Sequence, residues 1–237
     1  MRRREFNQAG AGAFGALVLA AISQAHALSL GELTGVTNTD AGNGLKTILE
    51  KGVTAAVASL GKPDGFLGNP KVRIPLPGYL EDVSKLLRNF GQSKRIDELI
   101  TAINRAAEAA VPLGKNLLLE AVRRMNVDDA KQILSGGDNA VTTFFAGKTR
   151  LPLSEKFLPI VNQMTEKVAL AAKYNDFAGK AAGFGLVKPA DANLQQYITG
   201  KALDGLYLII GDEEKKIRQD PAASASAILR KIFGAGR

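Results

Sequence analysis

The sequence predicts an all-α fold, an irregular bundle of eight or nine helices in a single domain with one proline-rich extended loop. Apolar residues recur along most of the chain at the three- and four-residue spacing of amphipathic helices. Capping residues and glycines separate these segments, and no alternation of apolar and polar residues is long enough to predict a strand. No repeat recurs at a fixed period, which favours an irregular bundle.

The first 27 residues are typical of a secretory signal peptide. Three arginines precede an apolar, glycine-containing run over residues 9–22, and Ala25 and Ala27 form a small-x-small cleavage site. The run is too short and too rich in small residues for a transmembrane helix, which needs about 20 strongly apolar residues. We therefore expect a periplasmic protein, cleaved after Ala27, whose residues 28–237 form one helical domain. A retained N-terminal anchor is the alternative.

The basic start also fits the twin-arginine export pattern through Arg3, Arg4 and Phe6. A mildly hydrophobic run that contains glycine suits that route, but three consecutive arginines also occur in ordinary signal peptides. The general and twin-arginine routes therefore both stay open. Because no cysteine follows the cleavage site, no lipoprotein anchor is expected.

Composition excludes several chemistries. Removal of residues 1–27 takes away three arginines and one glutamate, and leaves 28 basic and 22 acidic side chains that are interspersed rather than clustered. This pattern does not indicate a nucleic-acid partner. The only histidine, His26, leaves with the signal peptide, and the chain has no cysteine. A Ser-His-Asp triad, a cysteine nucleophile, an ordinary zinc site, common haem ligation and disulfides are therefore excluded.

The first helix and the loop come next along the chain. Thr39 or Asp40 is the expected N-cap, apolar residues continue at helical spacing, and Gly61 ends the helix. Alternating prolines in residues 62–77 forbid a helix and favour an extended segment. Because this segment carries apolar residues, we expect it to lie against the helices.

The middle of the chain predicts three helices. The second closes at Gly91, and Ser93 caps the third, whose apolar stripe is rich in alanine. We expect Pro112 to kink this helix or to divide it. Asn126 caps a short helix that runs through Leu134.

The last third of the chain predicts four helical segments and one weak one. Asp138 opens a helix, and a longer one follows over residues 153–174. Over residues 177–188 the helical pattern is weak and is interrupted by glycines. Asp191 caps a long helix that runs towards residue 219, and a short amphipathic helix follows over residues 222–233.

Polar residues on predicted helices are the candidates for a site. Asn104 and Glu108 lie one turn apart beside Arg105, and this pair suits a ligand or a hard cation as well as local bonding on an exposed helix shoulder. Asp129 stands in a first helical turn, where the helix dipole favours acids. Glu213 follows the apolar face of its helix, so we expect it to point inwards and to need a cationic partner. The candidate polar network comprises Asn104, Arg105, Glu108, Asp129, Asp204, Glu213 and Arg218.

Several short stretches together resemble a family of exported bacterial proteins, the domain of unknown function 4197. The stretches, in chain order, are Asp40-Ala41, Gly44-Leu45-Lys46, Gly65-Phe66, Ile74-Pro75-Leu76-Pro77, Asn104-Arg105-Ala106-Ala107-Glu108, Asp129-Ala130, Thr142-Thr143-Phe144-Phe145, Lys201 to Tyr207, Glu213-Glu214, Ile217-Arg218 and Asp220-Pro221. The resemblance implies an all-helical envelope or secreted protein of Gram-negative bacteria. It assigns no activity and no catalytic residue.

These observations favour a non-enzymatic module that binds an envelope protein, or a small apolar or amphipathic ligand between its helices. No cofactor, metal or nucleic acid is expected, and the oligomeric state is not predicted. One alternative is a hydrolase or lyase, with or without a divalent cation, that uses two acids among Glu108, Asp129, Asp204 and Glu213. Another is peripheral attachment to a membrane surface through Lys215, Lys216, Arg230 and Lys231.

Overall fold

The computed structural model describes residues 35–89, 93–128, 130–166 and 193–234. The helices in these residues are α1 (Asn38–Leu60), α2 (Gly78–Asn89), α3 (Ser93–Arg124), α4 (Ala130–Leu134), α5 (Ala140–Glu166), α6 (Leu194–Gln219) and α7 (Ala227–Phe233). None of these helices is long and apolar enough to cross a membrane. The predicted export signals, at Arg3, Arg4, Phe6, Ala25 and Ala27, lie outside the described residues.

The predicted all-α class is confirmed, whereas the predicted number of helices is wrong for the described part of the chain. It contains six helices of seven residues or more, and α4 has only five. The sequence predicts a kink or a helix boundary near Pro112 and a boundary near Pro152, but α3 is continuous through Pro112, and α5 is continuous through Pro152 and Pro159. All three prolines are exposed. Each removes one main-chain hydrogen bond from its helix without removing the apolar face that packs on the core.

Several helix starts differ from the prediction. Helix α4 begins at Ala130, four residues after the predicted cap Asn126. Thr37 caps α1, in place of Thr39 or Asp40, and its side chain accepts a 3.0 Å hydrogen bond from the N–H of Asp40. The Asp40 carboxylate in turn accepts from the N–H of Thr37 at 3.2 Å, which completes a capping box. Asn193 caps α6, and the predicted cap Asp191 lies outside the described residues.

Helix α1 is the centre of the bundle, because α3, α4, α6 and α7 all pack against it. Small residues permit this close approach. A Cβ atom on Gly52 would lie only 2.8 Å from Cγ2 of Ile210 on α6. The core that results is mainly apolar, and Phe145 and Phe157 of α5 are fully buried in it.

The proline-rich loop (residues 61–77) packs on the core, as the sequence leads us to expect. The predicted extended conformation is limited to residues 73–77, because residues 61–72 form hydrogen-bonded turns. Phe66, Ile74 and Leu76 are buried at 5% exposure or less. The Phe66 ring packs on α6 at Gly205, where a Cβ atom would lie 2.8 Å from the ring. The loop therefore has to be held in one position, and polar side chains of α3 hold it.

Helix α7 closes the bundle against α1. It begins at Ala227 rather than near residue 222, because Ala225 adopts a left-handed φ of 53° that interrupts helical geometry. Ile232 is buried and packs against Gly44 of α1. The Lys231 ammonium lies 2.6 Å from the Asp40 carboxylate, so the two ends of the described chain are joined directly.

Candidate functional site

Glu108 is the anchor of the first polar cluster, which we call the loop clamp (Asn104, Arg105, Glu108 and Asp64). The side chain of Glu108 is 5% exposed. Its Oε1 accepts hydrogen bonds from two consecutive main-chain amides of the loop, Phe66 and Leu67, each at 3.0 Å. Its Oε2 accepts from Arg105 Nη1 at 2.6 Å. Buried carboxylates need such partners, and here the loop backbone supplies them.

Asn104 lies one turn before Glu108 and holds the other end of the loop. Its Oδ1 accepts from the N–H of Ile74, and its Nδ2 donates to the carbonyl of Ile74, both at 2.8 Å. A second hydrogen bond from Nδ2 reaches Ile100 O at 2.8 Å. Asn104 is fully buried and all its polar atoms are satisfied. The side chain thus replaces the strand partner that this extended segment lacks.

Arg105 extends the loop clamp to the surface. Its Nη2 donates to Asp64 Oδ1 at 2.9 Å, and Asp64 is a loop residue in the left-handed conformation, with φ 63°. The hydrogen bond to Glu108, followed by the one to Asp64, raises the pKa of the Arg105 guanidinium. Arg105 therefore stays charged and connects the buried carboxylate to solvent.

The second polar cluster, the helix staple, consists of Glu214 and Arg218 on α6. Glu214 is fully buried, and its oxygens accept from the first-turn amides of α5, Val141 at 3.0 Å and Thr142 at 2.8 Å. The Thr142 hydroxyl adds a third hydrogen bond at 2.7 Å. These amides have no partner within α5, so Glu214 acts as the cap of a neighbouring helix.

Arg218 neutralises Glu214 and ties in two further elements. Its Nε donates to Glu214 Oε1 at 3.0 Å, and its Nη1 donates to Leu134 O at the end of α4 at 2.8 Å. The guanidinium lies over the Phe233 ring of α7, 5.1 Å from its centroid. The pair therefore fixes α4, α5, α6 and α7 to one another.

The prediction that Glu213 points inwards is wrong by one position. Glu213 is partly exposed and lies 3.3 Å from Lys216. Glu214 is the buried acid, and Ile210, Ile217 and Arg218 share its helix face at four-, three- and four-residue spacing. The four-residue interval between Glu214 and Arg218 is the signal in the sequence that identifies the right residue.

The remaining candidates lie apart from both clusters. Asp204 is half-exposed and pairs with Arg150 at 2.7 Å and with Lys201 at 3.9 Å. Asp129 lies outside the described residues. The expected single network is therefore wrong in the described part of the chain, which brings Asn104, Arg105 and Glu108 together and places Arg218 in a separate cluster.

Close to Asp204, a buried tyrosine hydroxyl is the remaining polar group of interest. The Tyr207 hydroxyl lies 2.9 Å from the Thr149 hydroxyl, and the Arg150 guanidinium lies over the tyrosine ring at 5.3 Å from its centroid. Burial raises the pKa of Tyr207, so the hydroxyl is neutral at physiological pH. It links α5 to α6.

The two buried carboxylates lie in separate clusters of the described residues. Glu108 and Glu214 face different loop and helix amides, and each has its own arginine. Nowhere in residues 35–89, 93–128, 130–166 and 193–234 do three or more acidic, histidine or cysteine side chains form a group that could hold a metal ion. The chemistry that these two carboxylates perform is hydrogen-bond acceptance from the protein itself.

An open groove lies on the outer side of α3, beside the loop clamp. Its volume is about 670 Å³, and its lining residues are Lys94, Asp97, Glu98, Thr101, Ala102 and Arg105. Lys94 and Glu98 are 3.9 Å apart, and Asp97 lies 2.7 Å from Arg88 of α2. The groove thus presents charges of both signs with a threonine and an alanine between them.

Residues 35–234 match the model of a family described as a protein of unknown function (DUF4197). The matched range contains all seven helices, the loop clamp and the helix staple. No curated protein and no solved structure matches the chain.

Proposed function

We propose that this chain, which belongs to the DUF4197 family of proteins of unknown function, is a non-enzymatic interaction module for another protein of the bacterial envelope. The observation that carries the proposal is the use of the buried carboxylates. Glu108 and Glu214 are both bonded to consecutive main-chain amides and to an arginine. Because their oxygens already accept hydrogen bonds from the protein itself, we expect a partner to bind through surface residues instead.

The groove on α3 is the surface that we propose for the partner. It is open, and charged side chains of both signs line it. The aliphatic stems of these side chains supply most of the lining and their charged ends supply the rim, so the groove suits a polypeptide segment that carries both apolar and charged side chains. Arg105 lies both in the groove and in the loop clamp, so occupants of the groove contact the element that orders residues 61–77.

The alternatives have less support. A carboxylate enzyme needs two acids in one cleft, and the candidate acids of the described residues point to separate partners. Attachment to a membrane surface needs a free basic face. Of the four basic residues proposed for that face, three form ion pairs, Lys215 with Asp138, Lys216 with Glu213 and Lys231 with Asp40.

In-cell photo-cross-linking tests the proposal with a matched pair of positions. Glu98 lies in the groove, and Glu120 lies on the same helix about 33 Å away. Both are glutamates with a basic residue four positions away. With a photoreactive residue, position 98 should capture one discrete protein, and position 120 should not. Equal capture at both positions would contradict the proposal.

A binding measurement with the captured protein completes the test. The purified partner should bind the mature chain, and Lys94→Glu in the groove should weaken this binding by at least about tenfold. Unchanged affinity would remove the groove from the proposal. Native mass spectrometry of the mature chain tests the ligand alternative, because a bound small molecule at stoichiometric occupancy would contradict a function based on a protein partner.

A further inference from the structure

The outer face of α5 carries the most exposed large apolar side chain of the described residues. Leu151 is 78% exposed, compared with 52% for Leu113 and 41% for Leu208. Pro152 follows it directly and is also exposed. An exposed leucine beside an exposed proline, in the middle of a 27-residue helix, is an apolar spot without a partner in the described chain.

The apolar spot lies between two opposite charges. Lys148 is one turn before it and Glu155 is one turn after it, and both are exposed. Lys148 lies over the Phe144 ring at 5.8 Å from its centroid, and neither Lys148 nor Glu155 forms an ion pair with a described residue. Nearby charges on the same helix do pair, as Arg150 does with Asp204. Two complementary charges at opposite ends of one short helix face therefore have no ion-pair partner among the described residues.

Proline adds a free acceptor at each of these ends. Because Pro152 and Pro159 have no N–H, the carbonyls four residues earlier, those of Lys148 and Glu155, have no helical donor. At residue 155, a side-chain carboxylate and a free carbonyl thus occur at the same exposed position. An ammonium group is a suitable partner for both oxygens.

The arrangement is complementary to itself. Lys148 and Glu155 are each 3.5 positions from the midpoint between Leu151 and Pro152. When two copies of α5 run antiparallel across that midpoint, a twofold axis relates them. Lys148 of one copy then faces Glu155 of the other, and the reverse pair forms by symmetry.

We propose that this face of α5 is a self-association surface, in which two copies of the chain pair with Leu151 and Pro152 at the twofold axis and with reciprocal Lys148–Glu155 ion pairs. The contact is small, because a single helix face contributes it, and interfaces below about 1,200 Å² are characteristic of weak, transient association. The expected dissociation constant is therefore in the micromolar range or above. The surface is separate from the α3 groove, and its failure leaves the proposed function unaffected.

Charge exchange tests the pairing by analytical ultracentrifugation of the purified mature protein over a concentration series. Lys148→Glu brings two pairs of glutamates together in the dimer, and Glu155→Lys brings two pairs of lysines together. Each should raise the dissociation constant by at least about tenfold. The double variant Lys148→Glu/Glu155→Lys restores both ion pairs and should return to the wild-type value. Lys62→Glu, an exposed lysine of the loop, makes the same change in charge elsewhere and should have no effect.

A single engineered cysteine gives a second readout, because the chain contains no cysteine of its own. Leu151→Cys places a thiol beside the twofold axis, and a bis-maleimide should link two copies efficiently. Thr54→Cys, at an exposed position of α1, is the matched control and should remain monomeric. A wild-type protein that stays monomeric at millimolar concentration overturns the proposal, as does a double variant that fails to recover. Equal cross-linking at positions 54 and 151 also overturns it.

Discussion

The helix staple offers the sharpest stability test, because two adjacent glutamates differ in almost nothing but their surroundings. Glu214 is fully buried against Arg218, whose side chain is 1% exposed, whereas Glu213 is partly exposed and lies beside Lys216. Glu214→Gln keeps the shape of the side chain and removes its charge. The guanidinium of Arg218 is then buried without a counter-ion, and one of the two acceptor oxygens becomes an amide that faces N–H donors.

The magnitude follows from this geometry. Removing one partner of a buried ion pair costs about 3–5 kcal/mol, because the remaining charge stays buried. For a chain of this size each kcal/mol lowers the melting temperature by about 2–4 °C, so we expect a decrease of about 6–20 °C. Glu213→Gln breaks only a partly exposed pair, and its effect should stay below about 1 kcal/mol.

For both variants, urea unfolding followed by far-UV circular dichroism measures the free energy of unfolding, and a thermal melt measures the melting temperature. The double variant Glu214→Gln/Arg218→Met tests the cause, because it removes the unpaired charge. It should be more stable than Glu214→Gln alone, although it contains one substitution more. If Glu214→Gln and Glu213→Gln have equal effects, or if the double variant is less stable than Glu214→Gln alone, Arg218 does not carry the uncompensated buried charge that we describe.

Three further predictions concern other parts of the fold. Asn104→Leu removes both hydrogen bonds to Ile74, so residues 61–77 should become sensitive to limited proteolysis at temperatures where the helices remain folded; unchanged cleavage would contradict the clamp. Gly52→Ala should destabilise the bundle by about 1–3 kcal/mol, because its Cβ atom would overlap α6, whereas Gly200→Ala, with open space around it, should stabilise it by up to about 1 kcal/mol. Thermal melts that rank the two alanine variants the other way would refute the packing argument. The hydrogen bond from Lys231 lowers the pKa of Asp40 below its ordinary value of 3.8. The ionised Asp40 therefore stabilises the folded state above pH 3.8, and this stabilisation is lost as the pH falls through the lowered pKa. Asp40→Asn should therefore reduce the melting temperature at pH 7, and the difference from wild type should shrink at acid pH; a constant difference would contradict this assignment.

Helical periodicity predicts the fold class and the existence of the main helices, because burial of one face is the dominant requirement for each of them. Helix interruption is less predictable. Pro112, Pro152 and Pro159 each remove one hydrogen bond, but the packing of the opposite face keeps α3 and α5 continuous. The sequence shows that a proline is present and does not show which way it faces.

The sequence predicts which side chains of the candidate site lie together on one helix, but it does not predict their partners. Asn104, Arg105 and Glu108 share one helix face, so spacing alone brings them together. Their partners are main-chain amides of a distant loop, and no residue type marks a main-chain amide in a sequence. On α6, Glu213 and Glu214 point in directions that differ by about 100°, and the pattern of apolar residues does not show which of the two is buried. The four-residue interval from Glu214 to Arg218 identifies Glu214, because a buried acid needs a basic partner on the same face.

Because α7 packs on α1, the first described helix to be synthesised is covered fully only when the last described helix has been synthesised. Asp40 is among the first residues of the domain to leave the ribosome, and its partner Lys231 is 191 positions later. Until then, the face of α1 that receives Ile232 has no cover. The first and last described helices therefore lie side by side, and joining residues 35 and 234 by a short linker while opening the chain elsewhere should yield a circularly permuted protein with the same core.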